Sequence, residues 1–568
     1  MLSTLYETKK HTKQKSSGSH YTPSGLADFL ASRLVSYLPK DGSFQILDPA
    51  CGDGELLSAF ATSLNYSSRV TSNFVGIDQD VAATEQTLDR WEGNNLQVWC
   101  SDFLSLPVGS QEGDLFANER STLKPADVII ANPPYVRTQV MGAAKSQQLA
   151  ISFELTGRVD LYQAFLVAMT RALKSGGIMG VITSNRFLTT RGAASIRSFL
   201  ATHYDILEII DLGDTKLFEA AVLPAIFIGR KRDKGDSHSH PTTSFLRIYE
   251  DRTGLNGAEA RASIFDILEC KEDGRYDVEG KIFSLVRGTV TFGDPGEPWK
   301  LASPGEHVYL GKMESRSSFT LANLMHIRVG IKTTADKVFI RDDWSSVPVN
   351  SLPESILLKP IIDSSDCTRW TIDVSNLARK ILYPYTVEEL KRLVIRLDDY
   401  PKTRSYFEHF RKRLEGRTYL QESSREWFEI WVPHHPNAWQ QPMLVAPDIS
   451  PAPKFAYTDQ GALVNGNCYW LTLRAGVPKD YLFLILGIVN SEAMTQYHDL
   501  AFNNKLYAGR RRYLTQYMEK YPIPSLDSNE AQEIIALVKQ RVFGSSLSGA
   551  DAIENKIESA VESLYGLS

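Results

Sequence analysis

The stretch ADVIIANPPYV (126–136) ends an apolar run on Asn132-Pro133-Pro134-Tyr135. These residue types in this order point to chemistry on an exocyclic amine such as N6 of adenine. That nitrogen is a poor nucleophile because its lone pair is conjugated into the ring. Acceptors placed around its two N–H bonds draw it toward tetrahedral geometry and free the lone pair to attack a sulfonium methyl group. The Asn132 side-chain oxygen and the Pro133 carbonyl are the candidate acceptors. Pro133 and Pro134 fix the local backbone at little entropic cost. Tyr135 offers a ring on which a base can stack. Positioning would carry much of the catalysis, with no metal and no shifted-pKa base required. Inside a duplex the amine is paired, so the base must be flipped out to reach such a site. A second aromatic should then sandwich it, and Phe218, in LGDTKLFEAAVLP (212–224), is the candidate.

A second constellation lies upstream in ILDPACGDGELLSAF (46–60), a strand running through a glycine turn into a helix. Gly52 and Gly54 allow a tight turn and close approach of a ligand. Asp78 ends the next strand, where a parallel α/β nucleotide site places a carboxylate for ribose hydroxyls. The third glycine of a dinucleotide fingerprint is replaced by Leu57, so an NAD site is not expected. Asp48-Pro49-Ala50-Cys51-Gly52-Asp53-Gly54 instead resembles the first motif of class I methyltransferases. In CSDFL (100–104), Asp102 is placed to accept from an adenine amine, with Phe103 against the ring.

Strands and helices must hold these residues. Buried strands are predicted over 44–48, 73–78, 96–100, 126–132, 177–183, 206–212 and 222–230. Amphipathic helices are predicted over 26–38, 55–64 and 160–177, the last stopping at Lys174 and a glycine pair. Such alternation implies a mostly parallel sheet with helices on both faces. Residues 1–19 are polar and expected to be flexible. The segment 230–244 reads as a surface loop, its His238 and His240 solvated rather than metal-binding. The first domain is therefore expected over 20–244. From 245 to 568 the texture changes to mixed α+β, with long helical patterns at 385–400 and 403–417.

Of the 568 residues, 43% are hydrophobic and 23% charged, as in globular chains, and the formal net charge is −5. That balance speaks against nonspecific coating of nucleic acid while leaving room for a basic contact face. The five cysteines show neither metal-ligand spacing nor a disulfide framework, as suits a reducing cytoplasm. No apolar run is long enough for a bilayer and the N-terminus has no signal-peptide core.

Residues 18–232 resemble the gamma class of N6-adenine DNA methyltransferases, the TaqI-like enzymes, which carry a C-terminal target-recognition domain. The resemblance rests on His20-Tyr21-Thr22-Pro23, the glycine motif, Asp78, Asp102-Phe103, the Asn-Pro-Pro-Tyr tetrad and Asp160-Leu161-Tyr162-Gln163-Ala164-Phe165, in that order. It implies a Rossmann-like, seven-stranded, S-adenosylmethionine-dependent fold, with S-adenosylhomocysteine as product. It implies that Tyr21, Thr22 and the turn Asp48, Pro49, Ala50, Cys51, Gly52 flank the methionine end. Asp78 would hold the ribose, Asp102 the adenine amine, and Phe165 would line the adenine pocket. It also strengthens Phe218 as the second stacking aromatic. Asp78 departs from the glutamate that many members carry, and the shorter side chain should still reach.

Beyond residue 245 the resemblance is looser. Lys505 and Arg510-Arg511-Arg512, near Tyr507 and Tyr513, are the candidate DNA contacts, since Lys and Arg anchor phosphates while other side chains read bases. Pro447-Asp448 with Lys454 lacks the acidic residue a nuclease motif needs. The expected protein is a monomeric bacterial enzyme of the cytoplasm acting on double-stranded DNA, alone, beside a separate endonuclease or within a defence system. An RNA base-amine methyltransferase and a catalytically inactive DNA-binding module remain the alternatives.

Overall fold

The computed structural model describes residues 21–65, 70–108, 122–136, 138–218, 223–233, 242–252, 257–389, 391–421, 424–502, 505–506, 509–544 and 549–568. His20, His238, His240 and Tyr507 lie outside the described residues. The chain forms two compact units, Met1–His307 with Leu500–Gly509, and Val308–Asp499 with Arg510–Ser568. Among the described residues no helix is long and apolar enough to cross a membrane.

In the first unit the seven expected strands are present: β1 (Gly42–Asp48), β2 (Val70–Asp78), β3 (Leu96–Cys100), β4 (Ala126–Ala131), β5 (Leu173–Ser184), β6 (Tyr204–Asp211) and β7 (Pro224–Lys231). They lie in the order β3-β2-β1-β4-β5-β7-β6. The first five run parallel, and β7 is antiparallel to β5 and β6. β4 is almost continuously apolar because both faces of the sheet are covered. Its Ile129 and Ala131 join one core cluster with Phe165, Leu166 and Met169 of helix α5 (Leu161–Ala172). Val128 and Ile130 join the other, with Leu26, Phe29 and Leu30 of α1 (Ser24–Ser36). Helices α2 (Glu55–Asn65), α3 (Val81–Arg90), α4 (Ala143–Ser152) and α6 (Ala194–His203) complete the described layers used below.

The unit does not stop near residue 244. β8 (Ser244–Glu250) pairs parallel with β6, and β9 (Glu259–Ala260), β10 (Gly274–Val278), β11 (Lys281–Thr291) and β12 (Lys300–Ala302) continue the same sheet. The change of texture at 245 marks a switch to mainly antiparallel pairing, not the end of a core. A buried polar knot ties β8 in: Tyr249 donates to Asp211 Oδ2 at 2.7 Å and Asn185 Nδ2 to Asp211 Oδ1 at 3.3 Å. The returning strip Leu500–Gly509 belongs here as well. Lys505 Nζ lies 6.0 Å from the Tyr249 ring, and Gly509, at φ +65°, turns beside Arg252.

Helix α5 ends at Ala172, earlier than the predicted stop, because Leu173 already belongs to β5 and Lys174 pairs with Asp127 at 2.8 Å.

The second unit is mixed α+β. Its five-stranded sheet has the order Met325–Val329, Cys468–Leu473, Met443–Pro447, Ala456–Thr458, Trp370–Thr371, with helices Tyr481–Val489, Asn529–Phe543 and Ala550–Tyr565. Gly330 passes so close to the Asn465 carbonyl that a Cβ would meet it at 2.0 Å. The helix expected over 385–400 is instead an antiparallel hairpin, Tyr385–Glu388 with Lys391–Val394. Glu389 takes φ +47° beyond the first strand, and buried Tyr385 accepts the Ile430 N–H at 2.8 Å. Tertiary anchoring here overrides a helical spacing of apolar residues. The pattern at 403–417 does form helices, Pro401–His409 and Arg411–Glu415, broken at Phe410.

Buried Arg197 of α6, 1% exposed, holds the end of the first unit. It donates to the carbonyls of Phe187 and Thr190 (2.8 and 2.9 Å) and of Gly296 and Glu297 (3.2 and 2.8 Å). Arg197→Leu strands these acceptors and is expected to cost about 3 kcal/mol or more, read as a lowered urea midpoint.

Candidate active site

The chain leaves β1 toward β2 and β3 and returns on the other side as β4. The carboxyl ends of β1 and β4 therefore flank the crevice where open α/β sheets bind ligands. The glycine turn follows β1 and the Asn-Pro-Pro-Tyr segment follows β4, so two motifs far apart in sequence meet there. A cavity of about 800 Å³ opens at this point. It is lined by Tyr21, Thr22, Asp48, Pro49, Ala50, Cys51, Gly52, Asp78, Asp102, Phe103, Asn132, Pro134 and Phe165, among others.

The turn after β1 needs its glycines. Gly52 has φ +53°, and Gly54 has φ +81° with room for no Cβ, since Thr87 Cγ2 would stand 2.9 Å away. The Gly52 N–H donates to Asp78 Oδ2 at 3.0 Å and the Asp80 N–H to Asp78 Oδ1 at 2.9 Å. Both carboxylate oxygens of Asp78 are thus oriented by backbone while keeping lone pairs for a ligand. Asp102 accepts the Leu104 N–H at 3.1 Å, and Phe103 packs against Phe165 with ring centroids 5.8 Å apart.

Asp48 is the electrostatic oddity. Its Oδ1 accepts the Ala50 N–H at 3.1 Å, while Oδ2 is buried with no hydrogen-bond partner in the protein. Burial drives its acidity to about 8, against the lowering effect of the Ala50 bond and with further push from Asp78 and Asp53. An orphaned buried acceptor on a cavity wall suits a cationic ligand group.

At the other wall, Asn132 Nδ2 donates to Thr22 Oγ1 at 3.1 Å, and the Tyr135 hydroxyl donates to Asn132 Oδ1. Burial pushes the Tyr135 phenol far above its ordinary value, so it stays a donor. Pro133 is buried. The chain beyond Tyr135 is fastened by a residue whose role sequence reasoning missed: Asp160 Oδ1 accepts from the Thr138 N–H at 2.8 Å and its hydroxyl at 2.9 Å. Its place in the Asp-Leu-Tyr-Gln-Ala-Phe run was the only available signal. Lys145, Gln148 and Arg171, which also line the cavity, gave none.

Other expected residues fall elsewhere. Phe218 packs within the apolar cluster that holds Ile210, Leu212 and Ile226 and, like Pro133 and Tyr135, is not among the residues that line the cavity. Arg511 is clamped by Asp499 at 2.7 and 2.8 Å, and Arg512 pairs with Asp448 at 3.4 Å. Both are neutralised within the second unit, and only Arg510 of the three is exposed.

Because folded Asp48 titrates near 8 and an unfolded aspartate near about 3.9, the folded chain holds a proton that the unfolded chain has released between those values. Stability contributed at this site therefore falls as pH rises from about 4 to about 8 and then levels off. Asp48→Asn cannot ionise. In ligand-free protein it is expected to melt higher than wild type at about pH 8.5, by about 2–4 °C per kcal/mol recovered, with the gap closing toward about pH 4 in a thermal-melt series.

The family described as Eco57I restriction-modification methylase matches residues 84–218. The Type II methyltransferase M.BanIII of Aneurinibacillus aneurinilyticus is 42% identical over 98% of both chains. M.BstVI of Geobacillus stearothermophilus is 24% identical over 78% of this chain and 73% of its own. Among solved structures, a DrdV–DNA complex (TM-score 0.50, 11% identity) overlays 95% of this chain and 58% of that one. The Type ISP enzyme LlaGI, in a nuclease-deletion form (TM-score 0.50, 13% identity), overlays 92% and 54%. These two share the fold, and this chain spans little more than half their length. With M.BanIII matched nearly end to end, the chain belongs to the Type II DNA methyltransferases of restriction-modification.

Proposed function

We propose that the chain transfers the methyl group of S-adenosylmethionine to the N6 amine of a flipped adenine within a specific duplex DNA sequence. The observation that carries this reading is the side chain of Asn132, held on the cavity wall between Thr22 on one side and Tyr135 on the other. The residues present fit such a donor. Asp48 offers an unpartnered acceptor for the cationic methionine end. Asp78 keeps lone pairs for ribose hydroxyls, Asp102 accepts from the adenine amine, and Phe103 with Phe165 forms apolar walls for the ring. When bound, the donor supplies an electrophilic methyl group on a sulfonium.

The remaining work falls to the chain after β4. Asn132 Oδ1 and the Pro133 carbonyl accept the two N–H bonds of the target amine and orient its lone pair toward the methyl group. Thr22 fixes the Asn132 amide so that its oxygen, and not its nitrogen, is offered to the amine. Tyr135 gives up its own bond to Asn132 Oδ1 when the amine N–H takes that place, and its ring then stacks on the base. Asp160 keeps the backbone beyond Tyr135 in position throughout. Lowered reorganisation at these fixed dipoles is the source of the rate. This reading needs no metal.

Asn132→Ala and Tyr135→Ala are expected to lower methyl transfer by about 10²–10³-fold or more while duplex affinity stays within a few-fold. Modified-base mapping of the genome of a methylation-free host should show N6-methyladenine in one sequence with wild type and none with Asn132→Ala. Methyl groups on cytosine, or on no base, would reject the reading.

A further inference from the structure

Two of the three arginines of the expected basic cluster at 510–512 are paired with Asp499 and Asp448. A different set of arginines in the second unit is uncompensated. Among the described residues no carboxylate lies within ion-pair distance of Arg328, Arg392 or Arg425. Each guanidinium rests on an aromatic face instead. Arg328 lies over Trp470 at 5.1 Å, Arg392 over Tyr385 at 5.1 Å and Arg425 over Tyr419 at 5.8 Å. Stacking fixes the plane of a guanidinium and leaves most of its five N–H donors unused.

Two of these arginines converge on one short segment. Arg392 Nη1 donates to the His434 carbonyl at 2.8 Å, and Arg425 Nη1 to the Trp431 carbonyl at 2.8 Å. The segment itself is rigid. Lys332 and Val432 exchange both backbone hydrogen bonds (3.2 and 3.1 Å), the Tyr383 hydroxyl donates to the Pro433 carbonyl at 2.8 Å, and His434 is fixed at φ +55°. At its centre Trp431 is 44% exposed, while the hairpin that carries Arg392 exposes Leu393 and Val387. After burial, the charges of Arg328 and Arg392 hold His434 below the usual imidazole range. Pre-oriented guanidinium donors and an exposed indole on a rigid segment match a polyanion with stackable rings.

We propose that the second unit grips duplex DNA through this face, with Arg392 and Arg425 on backbone phosphates and Trp431 against a base or sugar of the bound duplex. This rests on the reading of duplex DNA as the substrate. Arg328, over Trp470, adds a third guanidinium from the strand Met325–Val329.

The test uses the full chain, a fluorescein-labelled mixed-sequence duplex in a salt series, and methyl transfer to DNA from a methylation-free host. The double variant Arg392→Gln/Arg425→Gln is expected to weaken binding about tenfold or more at low salt and to reduce the salt slope by about 2, one unit for each lost phosphate contact. The charge-keeping pair Arg392→Lys/Arg425→Lys should restore the slope, which a merely structural role would not do. Trp431→Ala should weaken binding with the slope unchanged. Calorimetric S-adenosylmethionine affinity should stay at the wild-type value in all three. An unaltered slope in the Gln variant, with wild type methylating DNA, overturns the face and leaves the function standing. Loss of slope in the Gln variant, with wild type transferring no methyl group to DNA, retains the face and overturns the function. A wild type that binds no duplex overturns both.

Discussion

The proposed reaction depends on one constraint: a single asparagine amide must present its oxygen, and not its nitrogen, in a fixed direction. An amide is ambivalent by nature, with donor and acceptor ends of nearly equal shape. The Thr22 hydroxyl accepting from Nδ2 and the Tyr135 hydroxyl donating to Oδ1 remove that ambiguity. Much of the surrounding architecture serves the same end. β4 is sealed on both faces, so its carboxyl end cannot drift. The two prolines stiffen the exit, and Asp160, at the start of α5, fastens the chain that follows.

The opposite wall obeys a different rule, that of a carboxyl withheld from water. Asp48 ends β1 in a place where its carboxyl is buried and half-satisfied. Asp78, at the equivalent end of β2, has both oxygens oriented by backbone N–H groups. Two aspartates at the ends of neighbouring strands thus face opposite circumstances.

Much of this was legible in the sequence because short-range chemistry writes it there. Glycines at 52 and 54, the tetrad at 132–135 and the apolar runs of the seven strands each follow from a local requirement that few other residues meet. What the sequence hid depends on distant partners. Arg511 and Arg512 look like a basic patch until Asp499 and Asp448 close on them. Residues 385–400 carry a helical spacing that the Tyr385–Ile430 bond overrules. The boundary near 244 misled because a polar loop followed by altered texture resembles the end of a domain, whereas the Tyr249–Asp211–Asn185 knot keeps the next strand in the same core. The packing of Phe218 with Ile210 and Ile226 is likewise decided by tertiary structure.

The strip Leu500–Gly509 returns from the second unit to the first, so the polypeptide passes between the two at 307/308, 499/500 and 509/510. A gene fusion at one junction would leave the first unit without its own strip, or burden it with one from a foreign sequence that lacks a match for Tyr249 and Arg252. Exchange of the second unit between relatives therefore calls for two coordinated recombination events, or for drift of individual surface residues. Diversification by gradual substitution within an intact pair of units is the easier route, and the interwoven chain acts as a brake on modular shuffling.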